Sequence, residues 1–137
     1  MTHTSFDKER FARFAADDRA GPIDMLNLVK LRDWARYEDG RRLSGAEAYA
    51  TYGRETAPIF ARLGGKIVWR GRMEMMLIGP EIRWDLCFIA RYPSVAAFQK
   101  MIGDADYRRA MAHRQAAVED SRLIRMAPQD LGENFGA

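Results

Sequence analysis

The chain is poor in the residues that most often carry metal and redox chemistry, with one cysteine and two histidines. Cys87 cannot form a disulfide within the chain and supplies no zinc spacing, so a reducing, cytoplasmic setting is expected. No CxxC, HExxH, glycine-rich nucleotide loop or GxSxG elbow occurs. Phosphate transfer, zinc catalysis and serine hydrolysis are therefore not expected, and no metal site is assigned. No apolar run approaches transmembrane length, and Phe6, Asp7 and Glu9 stand where a secretory signal would need an apolar core. Lysine occurs only at 8, 30, 66 and 100, so arginine supplies most of the 22 positive charges. These are scattered among 19 acids for a net charge of +3. That is a mixed surface, and neither nucleic acid nor membrane is expected as a partner.

What the sequence does have is alternation. From Gly64 to Ser94 it reads as two long strands joined by a Gly79-Pro80 turn. In the first strand Ile67, Trp69, Met73, Met75 and Leu77 share one phase, while Lys66, Val68, Arg70, Arg72, Glu74 and Met76 share the other. A period of two places them on opposite faces of a sheet, one apolar and one mixed. Gly71 interrupts this run, and a bulge or bend is expected there. In the return strand Trp84, Leu86, Phe88, Ala90 and Tyr92 take one phase.

In chain order, residues 5–18 form an amphipathic helix capped by Ser5, with Phe11 and Phe14 on one face. Residues 24–31 are a strand apolar in both phases, and residues 32–44 a polar loop. Ser44 with Glu47 is a capping box for the next helix, which Pro58 should kink or split and Gly64-Gly65 ends. Ser94 caps another helix that breaks at Gly103; Asp104 caps its continuation to about Asp120; residues 121–126 close as a strand. The result is one α+β domain: an N-terminal helical extension over 5–22, a core over 23–127 and a loosely held tail over 128–137. The core order, βαββαβ, is that of a ferredoxin-like antiparallel sheet with both helices on one face. Its other face stays bare yet apolar, which marks a partner site; the simplest partner is a second copy, sheet against sheet.

The runs SGAEAYATYG, APIFARLGGKIVWRG, ARYPSVAAFQKMIGDADYRRAMAHRQAA and DSRLI resemble the bacterial domain of unknown function 1330 family over roughly residues 25–126. That resemblance implies a dimeric α/β barrel, in which two ferredoxin-like sheets enclose a cavity. The superfamily it points to includes quinone-forming monooxygenases, small isomerases, dehydratases and haem proteins, and the family carries no settled activity.

Several residues stand out as candidate ligand contacts. Tyr107, Ala110, Met111, Arg114 and Val118 share one helix face. Arg114 on that stripe needs a carboxylate, a carbonyl or a ligand anion; within the protein the partner would be Asp85, Glu74 or a helix end. Tyr49 and Tyr52 lie on the inward stripe of their helix and can place hydroxyls at a pocket rim. Asn27 and Arg70, with Glu74 and Asp85, can project from the mixed sheet face into a cavity, or pair between subunits. His113 is a weak candidate for a general base, one position off the inward stripe. His3 falls in a terminus expected to be loose. The expectation is a homodimer with a pocket for a small, largely apolar, carboxylate-bearing molecule and no cofactor. The alternatives are a dimer with a filled barrel and no catalysis, or a haem or metal enzyme.

Overall fold

The computed structural model describes residues 1–136. Its elements are α1 (Lys8–Ala16), β1 (Ile23–Leu31), α2 (Gly45–Arg62), β2 (Lys66–Gly71), β3 (Leu86–Tyr92), α3 (Val95–Gly103), α4 (Ala105–Ala117) and β4 (Val118–Met126). The sheet order is β2-β3-β1-β4, antiparallel throughout. This is the ferredoxin-like α+β fold with an added N-terminal helix.

The helices cover one face. Ile23 and Met25 of β1 and Ala90 and Tyr92 of β3 pack against Ile59, Val95, Phe98, Met101 and Tyr107 from α2, α3 and α4. Each such side chain contributes about 1.5–3 kcal/mol by leaving water. The opposite face has no helix of its own. Leu26, Ile89 and Ile124 lie across it in register, and Trp69 and Ile124 are 50% and 46% exposed.

Local signals explain most boundaries. Ser44 and Glu47 form the expected reciprocal cap of α2, and Gly64 ends it at φ 83°, a backbone that glycine adopts without strain. Ser94 and Asp104 cap α3 and α4 as expected. Other expectations are corrected. Asp7, not Ser5, caps α1, accepting from the Glu9 and Arg10 N–H groups. Pro58 does not split α2. It lies on the exposed face, where water can serve the carbonyl that loses its donor. β4 begins at Val118 directly after α4, because Val118 pairs with Leu31 and is fully buried.

The hairpin differs most. β2 ends at Gly71, and residues 72–85 form an irregular arm rather than two strand extensions. Alternation needs a covering layer, and there is none here: Met75, Leu77 and Ile78 are all exposed. The register shift lies between Ile67 and Trp69, not at Gly71. Ile67 faces Ala90 and Trp69 faces Ile89, so Val68 is the extra residue of a bulge. This bulge reverses the expected phase. Arg70 now pairs with Phe88, in register with Asn27 on the helix-covered face, while Trp69 turns to the bare face.

Candidate functional site

Between the sheet and its helices lies an open cleft of about 1350 Å³. Its floor is a transverse row of four residues in register: Leu123 on β4, Asn27 on β1, Phe88 on β3 and Arg70 on β2. Its roof is formed by Tyr49 and Tyr52 from α2 and by Tyr107, Met111 and Arg114 from α4. Helical spacing explains the roof: residues three or four apart share a face, and Tyr49/Tyr52 and Tyr107/Met111/Arg114 do so. Phe60, Tyr92 and Phe98 add aromatic wall. Tyr92 stacks edge-on against Phe60 and Phe98, at 5.2 and 5.0 Å between centroids.

The far end is closed by the N-terminus, which is not loose as expected. The His3 N–H donates to Asp120 Oδ1 at 2.8 Å, and Ser121 Oγ donates to the His3 carbonyl at 2.7 Å. Arg114 Nη1 donates to the Thr4 carbonyl at 2.8 Å, and its Nη2 reaches Ser121 Oγ at 3.4 Å. Phe6 and Phe14 then set their rings on Phe98, at 6.2 and 5.1 Å. Of the partners expected for Arg114, a backbone carbonyl is the one it finds; Asp85 and Glu74 are not bonded to it. Burial opposes ionisation of Asp120, but the His3 and Ser121 N–H groups and Arg122 outweigh it and hold the carboxyl below its usual range.

The near end has polar groups without partners. Tyr52 and Tyr107 satisfy each other, with their oxygens 2.8 Å apart. Tyr49 sits against Tyr52, ring centroids 5.3 Å apart, yet its hydroxyl makes no hydrogen bond among the described residues. Burial pushes it up to about 12, against the opposing pull of Arg114 and Arg70, so it is a neutral donor at physiological pH. Arg70 makes no ion pair or hydrogen bond among the described residues. Asn27 spends its amide nitrogen on the Met25 carbonyl at 3.0 Å, leaving its oxygen to accept. The cleft wall as a whole carries six arginines against two aspartates, so its field favours an anion.

The expected contacts Asn27, Arg70, Tyr49, Tyr52, Tyr107 and Arg114 therefore meet in one cleft. It lies under the helices of a single chain, not on the bare face where a barrel between two sheets was expected to hold it. His113 stands outside. Its Nδ1 meets the Tyr37 hydroxyl at 2.7 Å and its Nε2 lies 3.3 Å from Glu55, so both ring nitrogens tie the 32–44 loop to α2. Glu74 lies in the arm, and Asp85 accepts the Leu31 N–H. Sequence reasoning missed the N-terminal strap and the Asp120-Ser121 pair that receives it. Among the described residues no three His, Cys, Asp or Glu side chains cluster to hold a metal, and no helix is long and apolar enough to cross a membrane.

Fold and cleft together define a class: a ferredoxin-like α+β domain with an aromatic, arginine-rich cleft under its helices. The chain belongs to the family of the domain of unknown function DUF1330, which matches residues 41–127. RPA0582, a protein of unknown function from Rhodopseudomonas palustris, is 60% identical, with 95% of this chain and 99% of that chain covered and a TM-score of 0.92. The methylated RPA0582 protein is 61% identical, with coverages of 96% and 98% and a TM-score of 0.94. A hypothetical Arabidopsis thaliana protein, At3g17210, shares the fold alone at 13% identity, coverages of 85% and 96% and a TM-score of 0.51. No curated protein matches the chain.

Proposed function

We propose that the protein is a homodimer that binds a small, largely apolar, anionic molecule in the cleft of each subunit, without a cofactor of its own. The observation that carries the ligand is the pair of partnerless groups, Arg70 and Tyr49, in an aromatic cleft. Arg70 lines the cleft while exposed to solvent, so its donors are open to an entering anion, and its planar fork suits a carboxylate. Cofactor-free proton transfer is open to such a site, since the neutral Tyr49 hydroxyl can donate to a developing oxyanion. The proposal includes a cytoplasmic setting, which the free thiol of the lone, partly buried Cys87 suits.

The dimer reading rests on the bare face. Trp69, Val68 and Ile124 expose apolar surface there, and the arm adds Met75, Leu77 and Ile78. A contiguous patch of this kind is costly in water and suits a twin sheet, with each arm reaching over its partner. Sedimentation velocity at micromolar concentration should give twice the chain mass of 15.7 kDa. Native mass spectrometry after expression should show a small acid that Arg70→Gln loses while the dimer persists. A monomer removes the first half of the proposal; an empty cleft across a broad metabolite screen removes the second.

A further inference from the structure

We infer that the cleft is built for a hydroxyaryl carboxylic acid, its ring lying over Phe88, its carboxylate on Arg70 and Tyr49, and its hydroxyl on Asn27. This deepens the ligand reading above and rests on it. The argument starts from register. Asn27, Phe88 and Arg70 occupy one row across three adjacent strands. Neighbouring strands lie about 4.8 Å apart, so the outer two backbones are roughly 10 Å apart with one aromatic side chain midway. A benzene ring substituted at opposite ends fits that interval.

The unfilled valences set the polarity of each end. Arg70 offers only donors and has no acceptor among the described residues; its planar fork matches a carboxylate. Tyr49 offers a second donor from the roof and feels both Arg70 and Arg114. Asn27 is the mixed case: one of its two amide N–H bonds is held by the Met25 carbonyl, and its oxygen, which makes no hydrogen bond among the described residues, can accept from a ligand hydroxyl. Between them Phe88 below and the Tyr49-Tyr52 pair above offer faces for a flat ring. The cleft exceeds one benzene ring in volume and leaves room for further apolar bulk toward Phe60 and Phe98. The Val68 bulge is what aims Arg70 inward: in an unbroken strand that row position would hold Trp69.

The test is isothermal titration calorimetry on the full-length chain with four probes: 4-hydroxybenzoate, 4-hydroxybenzamide, benzoate and the neutral 1-naphthol. The acid should bind at least about tenfold tighter than the amide, because one charge-assisted contact is worth that much. Benzoate should bind several-fold more weakly than 4-hydroxybenzoate. Arg70→Gln should erase the preference for acid over amide while leaving 1-naphthol binding and the melting temperature unchanged. Asn27→Leu should erase the preference for 4-hydroxybenzoate over benzoate. Should that central-strand variant not fold, the probe comparison and Arg70→Gln still decide the matter. Equal binding of acid and amide, or a preference that survives Arg70→Gln, overturns the inference. In that case 1-naphthol binding keeps the cleft as a small-molecule site, whereas failure of all four probes sinks that reading as well.

Discussion

The two faces of the sheet are built from the same strands and meet opposite fates. Under the helices, Ile23 and Met25 are almost fully buried, and Tyr92 and Phe98 lock edge to face. On the other side Leu26, Ile89 and Ile124 are no less apolar, yet no helix among the described residues covers them: Leu26 and Ile89 are half-buried and Ile124 is exposed. The covered face also holds the polar groups that await a partner, Arg70, Tyr49 and Asn27. On the bare face Asp24 takes two bonds from Arg91 at 2.7 and 3.0 Å, and Lys66, in register with Arg91, projects into solvent. The lesson is that apolar surface and unpaired charge point to different partners: the first to a protein surface, the second to a small anion.

The strongest way to test the division is to damage the covered face. Phe98→Ala removes a ring that three others touch and leaves a cavity, so stability should fall by about 3–5 kcal/mol in chemical denaturation. The equivalent injury to the bare face should spare the fold. Trp69→Glu with Ile124→Glu places charges at half-exposed positions, and melting should begin from a monomer of unaltered secondary structure. Light scattering that still reports a dimer would show that the arm or another surface makes the contact. A smaller effect is expected from Asp24→Ala, which strands the Arg91 guanidinium. With Arg91 one-third exposed, water takes up part of the stranded charge, so the melting temperature should fall by less than in Phe98→Ala.

The comparison also explains what the sequence could say. Caps and breakers are local, so Ser44, Ser94, Asp104 and Gly64 could be read directly, and with them the order of elements and the fold. Helical spacing put Tyr49, Tyr52, Tyr107 and Arg114 on inward stripes because a helix face depends only on its own residues. Strand phase is not local in that way. The Val68 bulge exists only against β3, where two residues oppose Ile89, and it exchanges Trp69 and Arg70 between faces. For the same reason alternation could not announce that residues 72–77 lack a sheet to join, or that the cleft lies within one chain. The strap was illegible on other grounds: its anchors, Asp120 and Ser121, are more than a hundred residues away.

That strap yields the smallest effect and the one tied most directly to charge. Asp120 holds the His3 N–H and Arg122 through a single carboxylate oxygen. Its folded value is held below the ordinary 3.8. A depressed value means that the unfolded or detached state binds the proton more readily. The contribution is therefore complete above about pH 4–5 and lost as pH falls through the folded value. The protection factor of the His3 amide, its exchange corrected for the intrinsic pH dependence, should fall on acidification in that window, before global unfolding, with no change between pH 6 and 8. Asp120→Asn should show the lower protection already at neutral pH, because a neutral amide grips the N–H and the arginine less strongly than a carboxylate. Arg114, losing the Thr4 carbonyl as the strap lifts, would then face the cleft with free donors. A ligand acid should accordingly bind the Asp120→Asn protein at least as tightly as the parent. If protection at His3 were flat from pH 3 to 8, the strap would be held by the packing of Phe6 and Phe14 on Phe98, and the carboxylate would be incidental to it.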